Sequence, residues 1–241
     1  MKRLGILGGM GPLAGAYFYL RLAAITDAEG DSGHPSVLLI SDNGIPDRTA
    51  HLVGEGPSPV AALLRSLALL EAWGADVIAI PCNTAHAYLP EIQGAINARI
   101  LDMPTLAVEQ AASLGAASIG VLSTSGCRRA AVYEIACRHR GLVCHSLDER
   151  SANAVNALIY RQKAGEGIGA EAYLPYVNIL HAQGAEMVIL ACTEISLAFG
   201  GEPIFGTVDA LEVLARRAVT ACGAPLKKEV TACATRYAAS R

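Results

Sequence analysis

The sequence is poor in charge, and the charge that it carries is nearly balanced. Charged residues make up 17% of the 241 residues, with 19 Lys and Arg against 22 Asp and Glu, which gives a formal net charge of −3. Nucleic acids and anionic membranes bind proteins through dense positive charge, so neither is expected as a partner. The composition favours a small-molecule ligand instead.

Long apolar runs are missing as well. No stretch of about eighteen strongly apolar residues occurs, so a membrane span is not expected. Lys2-Arg3 and the uncharged residues up to Leu20 are similar to a signal peptide, but glycines and Pro12 interrupt the apolar region. The seven cysteines are odd in number and irregularly spaced, which favours reduced thiols over a disulfide framework. These features predict a globular protein of the cytoplasm.

A metal site and a lysine Schiff base have little support in the sequence. Cys137, His139, Cys144 and His145 lie close together in the chain but lack the C-x-x-C spacing of zinc sites. The chain has only four lysines, and Lys163 alone lies well inside it. No metal and no cofactor are therefore predicted.

Short β-rich segments alternate with longer helical ones, which is typical of βαβ units and a parallel sheet. Pro12 follows a strand and a glycine turn, at a position where a first helical residue tolerates proline, and the helix is predicted to run to about Ala28. Ser58 and Pro59 are predicted as the cap and first residue of another helix. The strands predicted in this half are Leu4–Leu7, Val37–Ile40 and Val77–Ile80.

The second half of the chain repeats the first. Residues 74–82 match residues 184–192 without a gap, from glycine to cysteine, at an offset of 110 residues. Residues 5–11 are similar to residues 120–126, and each segment is a predicted strand that enters a turn of small residues. Two α/β domains are therefore predicted, one formed by residues 1–103 and 207–241 and the other by residues 104–206. A capping box at Asp209–Glu212 opens the last helix, which is expected to return to the first domain.

The repeat places a cysteine at the carboxyl end of a strand in each half, Cys82 and Cys192. Open parallel sheets bind ligands at this edge, and a helix N-terminus there favours the thiolate. Both cysteines could instead be buried small hydrophobic residues. If the halves face each other, one thiol lies on each side of the ligand, an arrangement that suits removal of a proton from one face of a carbon and delivery of a proton to the other. This reaction is racemisation.

Polar residues follow both cysteines. Asn83 and Thr84 follow Cys82, and Thr193 and Glu194 follow Cys192. These side chains are suited to bind the head group of an amino acid or to orient a thiol, with Glu194 in the supporting role. They would also serve as helix caps.

Five segments together resemble the aspartate/glutamate racemases that work without pyridoxal phosphate. The segments span almost the whole chain in the order of that family, and they are Gly8–Pro12, Pro46–Arg48, Pro81–His86, Gly120–Gly126 and Gly184–Glu194. The resemblance implies two pseudo-symmetric, Rossmann-like domains with the active site in the cleft between them. It also implies that Cys82 and Cys192 are the acid/base residues and that the protein forms a homodimer.

Within that family the aspartate racemases look most similar. Their substrate-binding arginine and lysine fall on Arg48 and Lys163, and the resemblance also assigns Met10 and Thr124 to the substrate site. Both cations could pair with the carboxylates of aspartate or glutamate. From the residues alone, Lys163 could equally be a solvated charge at a helix end, and Arg48 could form a surface salt bridge.

The chain departs from the family pattern at Cys127, where the family usually has threonine. Because a thiol is a weaker hydrogen-bond donor than a hydroxyl, the preference for aspartate over glutamate or other amino acids stays open. Hydantoin racemases and maleate isomerases also use paired cysteines, while arylmalonate decarboxylases resemble a one-cysteine variant.

Two alternatives lie outside this family. Residues 9–14 satisfy the G-x-G-x-x-A pattern of dinucleotide-binding oxidoreductases, but the acidic residues near position 29 precede the second strand instead of ending it. A non-catalytic, two-lobed amino-acid binding protein would use the same cleft and cations but would not need the thiols.

Overall fold

Two parallel four-stranded sheets form the framework of the protein. A computed structural model describes residues 1–201 and 204–228. The first sheet has the order β2-β1-β3-β4 and the second has the order β6-β5-β7-β8, with parallel pairing throughout both sheets. The strands are β1 (Leu4–Gly8), β2 (Val37–Ser41), β3 (Val77–Ala79), β4 (Arg99–Ile100), β5 (Ser118–Ser123), β6 (Val143–Ser146), β7 (Met187–Ala191) and β8 (Thr207–Asp209). The predicted α/β class with two similar halves is confirmed.

Helices connect the strands as parallel pairing requires. They are α1 (Pro12–Ile25), α2 (Arg48–Val53), α3 (Val60–Ala72), α4 (Leu89–Gln93), α5 (Met103–Ser113), α6 (Ser125–Arg129), α7 (Val132–His139), α8 (Glu149–Lys163), α9 (Leu174–Ala182), α10 (Thr193–Phe199) and α11 (Ala210–Ala221). Short 3-10 helices cover Asp31–Gly33, Asn83–Tyr88 and Ala170–Ala172. None of the helices in the described part of the chain is long and apolar enough to span a membrane.

The predicted helix starts are confirmed more closely than the predicted ends. Pro12 is the first residue of α1 as expected, but the helix ends at Ile25 instead of about Ala28. Thr26 leaves the helix because its backbone is extended and bridges Leu226 near the other end of the chain. Helix α3 starts at Val60 with Pro59 as its cap residue, one position later than predicted.

The two halves repeat each other in packing as well as in strand order. Gly5 on β1 lies against Leu70 and Ala75, and a Cβ atom there would meet both side chains at 3.2 Å. Gly120 on β5 lies against Leu180 and Ala185, where a Cβ atom would be 2.8 Å and 3.1 Å from their Cβ atoms. Both central strands therefore need glycine at the place where a crossover helix packs closely on the sheet.

One core cluster joins the two sheets. It includes Ile6 of the first sheet, Ile119 and Ile189 of the second, and buried residues of α1, α5 and α11 such as Phe18 and Leu214. The opposite face of each sheet has a separate core, which contains Leu63 and Ile78 in one half and Val155 and Val188 in the other. The shared cluster fixes the two sheets relative to each other because it buries one face of both.

The structure changes one detail of the predicted domain division. Residues 207–209, which the prediction gave to the first domain, form β8 and pair with β7 of the second sheet. Helix α11 then packs against α1, with a salt bridge of 3.0 Å between Arg21 and Glu212. Residues 202–203 and 229–241 lie outside the described residues, and the wider division into two domains stays a prediction.

Candidate active site

Cys82 and Cys192 occupy matching positions in the two halves. Each is the cap residue before a helix, Cys82 before the 3-10 helix at Asn83–Tyr88 and Cys192 before α10. Their exposed fractions are 6% and 5%. Both thiols therefore lie at the carboxyl edge of a central strand, as predicted from the repeat, and both are largely shielded from water. Their catalytic role stays a prediction.

A hydroxyl pair joins the two sheet edges. The Oγ1 atoms of Thr84 and Thr124 are 2.9 Å apart, and Thr124 also accepts a hydrogen bond of 3.1 Å from the backbone N–H of Cys127. Thr124 is the cap residue of α6, the helix that carries Cys127. The contact brings the loop after Cys82 against the glycine-containing turn of the second half.

Cys127 lies in the shared core. It is 1% exposed, and burial raises the pKa of its thiol above the usual range. Tyr133 belongs to the same core cluster. The thiol at this position is therefore neutral and brings no charge to the site.

The side-chain amide of Asn83, next to Cys82, has an N–H group that can donate a hydrogen bond to a ligand. Its Oδ1 accepts a hydrogen bond from the buried hydroxyl of Tyr133, which fixes the orientation of the amide. Its Nδ2 is buried and has no hydrogen-bond partner among the described residues. Because a buried donor without a partner costs about 1–3 kcal/mol, Nδ2 is well placed to meet an acceptor on a ligand.

Arg48 is buried and held by the backbone. Its Nη1 donates to the carbonyls of Ile45 and Pro46 at 3.2 Å and 3.0 Å, and its Nη2 donates to the carbonyl of Met10 at 3.2 Å. Its Nε is also buried, and no residue that the structure describes accepts a hydrogen bond from it. Arg48 thus does not form a surface ion pair. Neutral carbonyls hold its guanidinium, so its positive charge can interact with a ligand. Met10 is 2% exposed and touches the site through its carbonyl.

Lys163 lies near both cysteines. It is the last residue of α8, and its Nζ lies 5.2 Å from the centroid of the Tyr160 ring. Burial lowers the pKa of Lys163, but the charges of Glu194, Cys192 and Cys82 outweigh burial, so the pKa is raised. The ammonium is therefore charged at neutral pH and belongs to the site instead of serving as a solvated helix-end charge.

The residues after Cys192 form a compact polar group. The thiol of Cys192 donates to Glu194 Oε2 at 3.0 Å, and the hydroxyl of Thr193 donates to the same oxygen at 3.1 Å. Burial and the Glu194 charge raise the pKa of Cys192 well above its ordinary value, although the charge of Lys163 opposes this. A Cβ atom on Gly11 would lie 3.5 Å from Glu194 Oε1, so this carboxylate faces the glycine turn of the first half. Its negative charge disfavours the pyrophosphate of a dinucleotide at that turn.

Several residues around the site carry no sequence motif of their own. Tyr160 donates to Asp47 Oδ1 at 3.1 Å and so links α8 to the cap residue of α2. Gln162 donates to the carbonyl of Glu194 at 2.7 Å and accepts from the hydroxyl of Tyr173 at 2.9 Å. Tyr160 and Gln162 precede Lys163 closely in the sequence, and this proximity is the signal that could have indicated them. Tyr133 on α7 had no such signal.

Comparison with known proteins gives the family of the chain. The sequence profile of the Asp/Glu/hydantoin racemase family matches residues 7–218. The chain belongs to this family, and it is therefore an isomerase of the racemase class.

Three similar proteins show how closely the chain resembles other racemases. The structure is similar to Picrophilus torridus aspartate racemase, with a TM-score of 0.84 and 29% identity over 97% of this chain and 100% of that chain. The sequence is 26% identical to the broad specificity amino-acid racemase RacX of Bacillus subtilis over 201 residues, which are 80% of this chain and 86% of the relative. Glutamate racemase from Francisella tularensis shares the fold, with a TM-score of 0.63 and 17% identity over 91% of this chain and 80% of that chain.

Proposed function

We propose that the protein interconverts L- and D-aspartate, with glutamate as the second substrate, without a cofactor. The observation that carries the proposal is the placement of Cys82 and Cys192 at equivalent strand ends. The Lys163 ammonium lies close enough to both for their charges to raise its pKa. In this mechanism one thiolate removes the Cα proton and the opposite thiol returns a proton to the other face.

The surrounding groups fit an amino acid with two carboxylates. The buried Nδ2 of Asn83 and the hydroxyls of Thr84 and Thr124 are donors for the carboxylate next to Cα. Hydrogen bonds to that carboxylate stabilise the negative charge that develops when the Cα proton leaves. Arg48 and Lys163 supply two positive charges, which match the two negative charges of aspartate or glutamate.

A broad-specificity racemase is the second candidate. Cys127 is buried in the shared core, and its neutral thiol is a weaker donor than a hydroxyl. The similarity to the Bacillus subtilis racemase supports the same possibility. In this case the second carboxylate contributes little to turnover, and neutral amino acids react at comparable rates.

The experiment that tests the proposal is chiral chromatography of reactions with a panel of single enantiomers. Aspartate should racemise fastest, glutamate next and alanine slowly, and added pyridoxal phosphate should not change the rates. Hydroxylamine, which traps carbonyl cofactors, should not inhibit. Activity that requires pyridoxal phosphate, or turnover of alanine as fast as aspartate, would contradict the first candidate.

A homodimer is proposed on the family resemblance alone. Size-exclusion chromatography with light scattering measures the mass of the particle. A mass near that of one 25.0 kDa chain would reject it.

A further inference from the structure

The thiol of Cys192 and the carboxylate of Glu194 are in direct contact in a site shielded from water. The sulfur and Glu194 Oε2 are 3.0 Å apart, and each residue is 5% exposed. Two anions at this distance repel strongly when water is excluded, so the pair is stable only when it holds a proton. Because a carboxylate is the stronger acid of the two groups in water, the proton resides on sulfur and the thiol donates the hydrogen bond.

Cys82 has different surroundings. In the described part of the chain, no carboxylate is hydrogen-bonded to its sulfur, and its carbonyl accepts a hydrogen bond of 2.9 Å from the ring of His86. Cys82 also lies close enough to Lys163 for its charge to raise the pKa of that ammonium. The two halves therefore place one thiol beside a carboxylate and leave the other without one, although the two cysteines occupy equivalent positions in the fold.

We propose that Glu194 is a catalytic residue that holds Cys192 as the protonated thiol in the resting enzyme, so that Cys82 acts as the base and Cys192 as the acid for one enantiomer, with the two roles exchanged for the other. This assignment rests on the proposed two-thiol racemisation. It breaks the chemical equivalence of the two cysteines through one residue of α10.

The proton transfers balance in each turnover. The Cα–H bond breaks as an S–H bond forms on Cys82, and the electron pair moves into the carbanion next to the substrate carboxylate. The S–H bond of Cys192 then breaks as a new C–H bond forms on the opposite face of Cα. The Cys192 thiolate now faces the Glu194 carboxylate, whose repulsion favours its protonation by water, while Cys82 loses its proton to water.

Within the described part of the chain, three other titratable residues interact with Cys192. Lys163 at the end of α8 favours its thiolate, but burial and Glu194 outweigh the lysine. Tyr173, next to α9, has its pKa raised by burial and by the charges of Cys192 and Glu194, so it is neutral at working pH. Burial and the other ionisable groups around Tyr133, which include Cys192, raise the pKa of Tyr133, which is also neutral. Glu194 is thus the group whose removal changes the proton affinity of Cys192 most directly.

The test is to titrate each thiol separately by its rate of alkylation. Wild-type protein without substrate is treated with iodoacetamide from about pH 6 to about pH 10, and peptide mass spectrometry follows Cys82 and Cys192 in the same sample. The two thiols are similarly buried, so their alkylation rates can be compared directly. The pH midpoint of each rate curve reports thiolate formation, whereas the accessibility of the sulfur to the reagent changes only the height of the curve. Cys82 is expected to react at lower pH than Cys192.

The variant Glu194→Gln removes the charge and keeps the shape. At about pH 7.5, Cys192 is expected to react roughly tenfold faster or more, while the pH midpoint of Cys82 stays in place as an internal control. Ser196→Ala is the matched control, because Ser196 on the same helix is uncharged and its hydroxyl donates to Asp209 Oδ1 at 2.6 Å and, more weakly, to the Cys192 carbonyl at 3.4 Å. The pH midpoint of Cys192 should not move in this variant. A Cys192 midpoint at or below that of Cys82 in the wild type, or one unchanged in Glu194→Gln, would overturn the proposal.

Kinetics give the second readout. The alkaline limb of kcat/KM for aspartate should shift to lower pH in Glu194→Gln, because the acid loses its proton sooner, and Glu194→Asp should partly restore it. Thiols that titrate as expected in a protein that racemises no amino acid would refute the proposed function while supporting the assigned protonation states. If Glu194→Gln is an active racemase with the same pH profile as the wild type, the proposed role of Glu194 is refuted.

Discussion

The hydroxyl oxygens of Thr84 and Thr124 lie 2.9 Å apart and connect the strand-end loops of the two sheets. Thr84 is two residues beyond Cys82, and Thr124 follows β5 directly. The contact therefore fixes the loop that carries one thiol against the other half of the protein. A second close approach lies nearby, where Gly126 of α6 packs on Thr49 of α2. The geometry of the site depends on both contacts.

The two cysteines should be non-redundant. Cys82→Ser and Cys192→Ser are each expected to abolish racemisation, because a serine hydroxyl is far too weak an acid to replace a thiol. A variant with one remaining thiolate can still exchange the Cα proton on its own face. Proton NMR in heavy water should show residual exchange of one enantiomer in Cys192→Ser, which keeps Cys82. Cys82→Ser should exchange the opposite enantiomer more slowly, because Glu194 holds the remaining Cys192 as the thiol. Full racemisation in either variant would contradict a two-base mechanism.

The cations should discriminate dicarboxylates from neutral amino acids. Arg48→Ala and Lys163→Ala are each expected to lower kcat/KM for aspartate by roughly tenfold to a hundredfold. Each variant loses one charge-assisted hydrogen bond, which contributes about 1.5–3 kcal/mol. Alanine turnover should fall less. Lys227→Ala is the control, since the Lys227 ammonium lies at the surface and donates to the backbone carbonyl of Ala24. Equal losses on alanine and aspartate would show that neither cation binds the second carboxylate.

The side chain of Cys127 should influence how tightly aspartate binds. Cys127→Thr is expected to leave KM for aspartate unchanged or to lower it, because the hydroxyl is a better donor. Cys127→Val has nearly the same shape as threonine without the hydroxyl, so it separates hydrogen bonding from volume. Steady-state kinetics on the three proteins gives the comparison. A severe loss of activity in Cys127→Thr with the fold intact would indicate a separate role for the thiol.

Gly126 should be intolerant of a side chain. A Cβ atom there would lie 2.6 Å from Thr49 Oγ1 and 2.7 Å from Thr49 Cα, so α2 and α6 would have to separate. Gly126→Ala is expected to cost about 1–3 kcal/mol of stability, as overpacking does, and to lower kcat/KM. Gly167→Ala is the matched control, because apart from its chain neighbours no described residue has an atom within 4 Å of the Cβ position there. Urea denaturation that gives equal stability for both variants would contradict this reading of the contact.

Asp209 should make stability fall as the pH rises. Burial raises the pKa of this carboxyl from 3.8 to about 6 in the folded protein. The folded state then holds a proton that the unfolded state has lost, so the stabilisation is complete below the unfolded pKa and is lost as the pH rises through about 6. Asp209→Asn keeps a capping side chain for α11 but does not titrate.

The measurement is urea denaturation at several pH values. The wild type is expected to lose roughly 3 kcal/mol relative to Asp209→Asn between about pH 4 and about pH 7. Other carboxylates titrate in both proteins and cancel in the difference. Parallel stability curves would show that the buried carboxyl is ionised throughout.

The sequence by itself determined the α/β class, the internal repeat and the position of both cysteines. Each of these follows from local rules: alternating strand and helix signals, and a glycine, strand and cysteine pattern that occurs twice at an offset of 110 residues. A cysteine after a buried strand must lie at the carboxyl edge of a parallel sheet, whatever the rest of the chain does. These features needed no knowledge of how the halves pack.

Only the tertiary structure decided what surrounds the thiols. Thr84 meets Thr124 across 40 residues of sequence, and Tyr133 meets Asn83 across 50. The membership of residues 207–209 in the second sheet, and the approach of Gly11 to Glu194, likewise depend on contacts between distant segments. Such contacts are set by the shared core that orients the two sheets, and no local pattern in the sequence encodes that orientation.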